Sequence, residues 1–266
     1  MRSYRAYVSL MARSTLYKEL LLFVAMAAVE LILVIPNLGM QISSVVSIDA
    51  QGKENLNYFT ASLDSVVQES RLVLVWLAAL LVLSLILILT AGQWRDYTLD
   101  RLGMSRLQGN ILYGIYCTLS FVLLWGFQAA LAVGMCLYYR QQLPSELVSD
   151  QTLFFSICGT PLFFDVLPLM HVGRWVSDVL IMTALGFSAA NGARLRRLGR
   201  MPAASVVGLA LLFWSAYGQV GVSTLDVDVG YILGSVCFVS MAVAQMTVWD
   251  VEERKGEAYE PLNREL

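Results

Sequence analysis

Stretches of about 20 residues with almost no ionisable side chain, the length that crosses a bilayer's hydrocarbon core, recur along this chain, the plainest being Leu72 to Ala91. Such a run is stable only where its whole circumference meets apolar surroundings. Repeated several times in 266 residues, it leaves no soluble arrangement that could cover it. Composition agrees: 58% of the residues are hydrophobic and 14% charged, against about a quarter charged in an ordinary soluble domain. Disordered and disulfide-rich chains are excluded on the same grounds. A net charge of -2 excludes a polybasic nucleic-acid binder, which needs clustered Lys and Arg on an exposed face. The expected class is an all-α polytopic membrane protein.

Six spans are predicted, near Leu20 to Met40, Leu72 to Ala91, Ile111 to Tyr139, Trp175 to Ala190, Ala203 to Val220 and Val229 to Val248. Their orientation follows from basic loop residues, which are retained on the cytoplasmic side. Arg2, Arg5, Arg13 and Lys18 precede span one; Arg95, Arg101 and Arg106 lie between spans two and three; Arg194, Arg196, Arg197 and Arg200 lie between four and five. With Arg254, Lys255 and Arg264 of the tail, fourteen of the eighteen basic residues fall on one side. Both termini are therefore expected in the cytoplasm. Residues 1–19 form a cytoplasmic N-terminal helix, 20–248 the membrane domain with external segments 41–71 and 140–174, and 249–266 a cytoplasmic tail.

The apolar stretch Thr152 to Met170 is interrupted by Gly159, Pro161 and Pro168 and contains Asp165. Spanning would move the four-arginine cluster outside, so it is read as a re-entrant or interfacial segment on the outer face. Trp94, Trp175 and Trp249 fall at span ends, where interfacial anchors belong. The first apolar run is too long for a signal core and lacks a small-x-small site after it, so span one is expected to be retained. Cys117, Cys136, Cys158 and Cys237 show no CxxC spacing. Cys136 and Cys158 both lie near the outer surface, as a pair or as free thiols.

At 100 degrees per residue, Tyr4, Tyr7, Val8 and Met11 gather on one arc of the N-terminal segment, with Arg2, Arg5, Ser9 and Arg13 opposite. This is the pattern of an amphipathic helix on the inner leaflet; the plainer alternative is a positive-inside flank. The inner loop Trp94-Arg95-Asp96-Tyr97-Thr98-Leu99-Asp100-Arg101-Leu102-Gly103-Met104-Ser105-Arg106 mixes charges of both signs with apolar knobs. That composition suits docking to another protein.

A basic amphipathic N-terminus, a span, an external loop, a second span and then Tyr-Thr-Leu-x-Arg-Leu-Gly-x-Ser-Arg leading into span three resembles the permease subunits of ABC-2-type transporters. The resemblance implies that Arg95, Asp96, Tyr97, Leu99, Asp100, Arg101 and Leu102 form a coupling element seated in a separate ATPase subunit. It further implies a plasma-membrane (cell inner membrane) exporter, a second permease copy or a homologous permease, and ATP with Mg on the partner. One departure concerns the segment between spans five and six, Gly218 to Asp228, which is short where many members carry an external helical element. The chain itself is not expected to be an enzyme or to bind a cofactor or metal. Its only lysines are Lys18, Lys53 and Lys255, and Gly52-Lys53 is followed by Glu54 rather than the Ser or Thr of a phosphate loop.

Within the spans, Glu30 is the central charge and a candidate for the translocation path, with a structural hydrogen bond as the alternative. Asp178 sits one turn after Arg174 and is expected to pair with it. The only histidine, His171, is assigned a surface or headgroup contact. Gly126, Ala130 and Gly134 in span three, and Gly230 and Gly234 in span six, recur at intervals of four. That spacing lets helices approach closely, inside one subunit or between two. Serine-hydrolase chemistry is excluded because Gly186-Phe187-Ser188 is followed by Ala189 and by no histidine. Asn191-Gly192-Ala193-Arg194 lacks the surrounding aspartates of a phosphotransferase. Two other readings stay open: an ion-coupled secondary carrier, though no internal repeat is visible, and a non-transporting membrane immunity or assembly factor.

Overall fold

The computed structural model describes residues 2–40, 42–48, 54–60, 63–91, 105–143, 151–169 and 172–197, with Gly199 and isolated helical positions between 232 and 244. Four helices in it are long and apolar enough to cross a membrane: α1 (Arg2–Met40), α3 (Leu72–Ala91), α4 (Arg106–Gln142) and α7 (Val172–Arg197). They correspond to the first four predicted spans and make this a membrane-embedded chain. Predicted spans five and six and the tail lie outside the described residues, apart from helical positions such as Ile232 to Gly234.

α3 begins and ends at the residues its composition marks out. α1 is different, because it runs unbroken from Arg2 to Met40 where a separate helix over 1–19 was expected. Its 39 residues reach about 58 Å at about 1.5 Å per residue, well beyond a hydrocarbon core of about 30 Å. One stripe holds it to the rest of the chain: Tyr7, Met11, Thr15, Glu19, Leu22, Met26, Glu30 and Val34 are buried, spaced by three or four residues. Leu20, Leu21, Val24 and Ile32 stand open on its other faces, as side chains facing lipid would. The N-terminal arc is only partly kept, with Tyr7 and Met11 buried and Val8 exposed.

α4 starts earlier than its apolar run. Ser105 Oγ accepts the Gln108 N–H at 3.2 Å and Gln108 Oε1 accepts the Ser105 N–H at 3.4 Å. These reciprocal bonds form a capping box that satisfies donors the first turn leaves over.

Among the described residues, the otherwise helical chain carries one β-hairpin, between α1 and α3. β1 (Ile42–Ile48) and β2 (Glu54–Thr60) pair antiparallel, Ile42 opposite Thr60 and Ile48 opposite Glu54. The β-branched residues of Ile-Ser-Ser-Val-Val-Ser-Ile suit an extended backbone better than a helix. A short helix α2 (Leu63–Glu69) follows, its Leu63, Val66 and Val67 buried. It turns into α3 through Arg71, at a left-handed φ of 49°. Asn37 Nδ2 donates to Ser70 Oγ at 3.1 Å, and that hydroxyl donates to the Leu33 carbonyl at 3.2 Å.

Residues 152–170 do not span. They form α5 (Thr152–Gly159) and α6 (Pro161–Val166), separated by an extended Thr160 with Pro161 opening the second helix. Ile157, Leu162, Phe163 and Val166 are buried while Phe154, Phe155 and Leu169 are exposed.

The chain divides into two compact units, Met1–Leu22 with Leu80–Leu124 and Gly173–Leu266, and Phe23–Ala79 with Trp125–Val172. In the first, Lys18 Nζ donates to Thr90 Oγ1 at 3.3 Å and Tyr113 Oη to the Leu87 carbonyl at 2.6 Å. Its core holds Leu83, Leu87, Tyr113, Phe121 and Leu185. In the second, Phe23 stacks on Phe127 with ring centroids 5.4 Å apart, and Trp76, Ala132 and Phe163 are buried. In the first unit Thr15 meets Tyr116 and Glu19 meets Ser120, so α1 and α4 run parallel there. In the same unit α7 meets α4 where Phe187 faces Gly114 and Gly186 faces Thr118.

Candidate functional site

Polar side chains inside apolar helices are costly unless partnered, so those that persist mark where a membrane protein does something besides span. α1 carries two such groups on its buried stripe. Glu19, 5% exposed, accepts hydrogen bonds from Tyr116 Oη and Ser120 Oγ, each at 3.2 Å. The phenol oxygen also accepts from Thr15 Oγ1 at 2.5 Å, since its own hydrogen is given to Glu19. A connected network thus ties the N-terminal half of α1 to the first turns of α4. Its alignment is built into the helices: Thr15 and Glu19 lie one turn apart, as do Tyr116 and Ser120.

Glu19 was missed in the sequence because it stands beside Lys18 at the edge of the apolar run, and there reads as a charged flank. The signal that would have found it is the ladder Tyr113, Tyr116 and Ser120 on one side of an otherwise apolar helix.

Glu30, expected as the central charge, is fully buried. Gln128 Nε2 donates to its Oε2 at 3.2 Å. Among the described residues, Glu30 Oε1 and Gln128 Oε1, both buried, have no hydrogen-bond partner, and neither has the indole N–H of Trp76. Gln128 was not among the expected site residues. An amide on a helix face otherwise made of Leu, Ala and Trp was its available signal.

The other expected positions fall as follows. Asp178 lies within the field of Arg174, as its spacing indicated, with Oδ2 unpartnered. Gly126, Ala130 and Gly134 share an exposed face of α4, and a Cβ built on either glycine meets nothing within 4 Å. Gly234 is likewise open, and Gly230 lies outside the described residues. So do Arg95, Asp96, Tyr97, Leu99, Asp100, Arg101 and Leu102, whose loop ends at the capped start of α4. His171 is also outside. Cys136 is buried and Cys158 half-buried, and both are free thiols. Arg194, expected on a solvated loop, is buried near the end of α7, with Arg196 exposed.

The arrangement provides two polar sites on one helix, both addressed from α4. No family model, curated protein or solved structure matches this chain, so what these sites do is argued from their own geometry.

Proposed function

We propose that this chain is the transmembrane permease subunit of an ATP-driven transporter of the ABC-2 type, an exporter in the plasma membrane powered by a separate ATPase subunit. The observation that carries the reading is the loop Trp94 to Arg106, with alternating charges and apolar knobs, leading directly into a membrane helix. The network from Glu19 to Tyr116 and Ser120 supports it. Motion imposed on the loop enters α4 and reaches α1 within its first turns. Both termini are cytoplasmic, six helices span, and ATP and Mg stay on the partner. A second permease copy meets this one on the open face of Gly126, Ala130 and Gly134, where a neighbouring helix could approach closely.

Affinity purification of the tagged chain from its native membrane tests the reading. An ATPase subunit with a phosphate loop should copurify, and should be lost on replacing Arg95, Asp100 and Arg101 together by Ala. A chain that brings down no ATPase, or that keeps association and transport in the triple variant, ends the proposal.

A second reading, an ion-coupled carrier, gains from one observation: two buried carboxyls, Glu19 and Glu30, stand on the same face of α1. Transport driven by an imposed ion gradient in vesicles without any ATPase would favour it.

A further inference from the structure

Hydrogen-bond accounting around Glu30 leaves a deficit of one sign. The carboxyl and the Gln128 amide are both fully buried and joined by one N–H···O bond. Their two remaining oxygens, Glu30 Oε1 and Gln128 Oε1, are acceptors without a donor among the described residues. Buried acceptors left in this state cost about 1–3 kcal/mol each, more where a charge is involved. One hydrogen on Glu30 Oε1 removes both deficits, because the acid O–H then donates to the amide oxygen while the amide N–H donates to Oε2. The result is a two-point acid–amide ring between α1 and α4.

Among the described helices no counter-charge is at hand to favour the alternative. Between residues 20 and 40, α1 has no charged residue besides Glu30; α3 has no ionisable side chain; and α4 has no charged residue between Arg106 and Arg140. The nearest ionisable groups on α4 after Gln128 and on α1 before Glu30 are Cys136 and Glu19. The other charged residues in described elements of the same unit are Glu54 in β2, Asp64 and Glu69 in α2, Arg71 just before α3, Arg140 near the end of α4 and Asp165 in α6. Trp76 of α3 is fully buried in the same unit. Its indole is a donor that does not titrate.

We propose that Glu30 and Gln128 together form a binding site for a single proton, held between α1 and α4. Release of that proton to water leaves a carboxylate with the Gln128 N–H as its described donor, and loosens the contact of the two helices. The site stands independently of whether an ATPase drives the chain.

Infrared spectroscopy of the full chain in phosphatidylcholine vesicles tests it. At neutral pH the wild type should show a carboxylic C=O band that is absent from Glu30→Gln and moved to higher frequency in Gln128→Leu. Identical wild-type and Glu30→Gln spectra in that region would overturn the proposal, as would a band unaffected by Gln128→Leu. Trp76→Phe should leave the band in place; its loss there would transfer the partnership to the indole and sink the pairing. Thermal unfolding gives a second readout. Glu30→Gln should keep the wild-type midpoint, because its amide donates where the acid O–H does, while Glu30→Ala lowers it. A Gln variant that falls as far as the Ala variant requires an ionised Glu30 and overturns the site.

Discussion

Along α4, Gly114 lies against the Phe187 ring, with a built Cβ only 2.9 Å from it, and four residues on Thr118 lies against Gly186. Twelve and twenty residues beyond Gly114, Gly126 and Gly134 on the same helix face open space. The polar groups divide the same way. Glu19, bonded to the earlier half, receives two hydroxyl donors, whereas Glu30, bonded to the later half, receives one amide N–H. The earlier half of α4 is finished within this chain. The later half keeps both an unfilled face and an unfilled hydrogen-bonding capacity. Small residues thus have two opposite uses on one helix, and spacing alone does not separate them.

Four tests by substitution break or sharpen that contrast. Gly186→Ala should do the most damage, because the new methyl meets the Thr118 backbone nitrogen at 2.5 Å and its Cα at 2.7 Å, atoms that cannot swing aside. Overpacking of this kind costs about 3 kcal/mol, to be read as a lower unfolding midpoint in mild detergent. The double change Tyr116→Phe with Ser120→Ala removes both hydroxyls from Glu19 and should cost about 2 kcal/mol by the same measurement. A midpoint equal to wild type would mean that the network adds nothing to folding. Gln128→Leu, which strips the single donor from Glu30, should cost about 1 kcal/mol, within the range measured for hydrogen bonds between membrane helices. A larger loss than the double variant shows would reverse the ranking of the two halves. Gly126→Ala or Gly134→Ala should shift the monomer by less than about 0.5 kcal/mol while lowering the dimer fraction in crosslinking. An unchanged dimer would remove this face from the proposed subunit contact.

Legibility in the sequence followed how local the cause was. α3 was readable to the residue because its apolar run has abrupt ends. The break between Thr160 and Pro161 was readable because proline constrains the residue before it. The continuity of α1 was not readable. Lys18 and Glu19 look like the end of a membrane segment until partners 72 to 101 positions away, Thr90, Tyr116 and Ser120, are brought beside them. The hairpin of β1 and β2 escaped notice because its alternation is weak, with Val45 and Val46 adjacent. Ser105 and Gln108 formed a legible capping box that the apolar count overrode, which is why the expected span started late. Glu30 was found because it is the one charge in its run, but its partner Gln128, an uncharged residue on another helix, carries no such flag.

The pairing of Glu19 with Tyr116 and Ser120, 97 and 101 residues further along, also has a consequence for biogenesis. At about 5–20 residues per second, α1 leaves the ribosome about 5–20 s before its hydroxyl donors exist. Until the first turns of α4 emerge, the Glu19 carboxyl depends on water, headgroups or the insertion machinery for its hydrogen bonds, so the order of synthesis makes α1 a helix that waits.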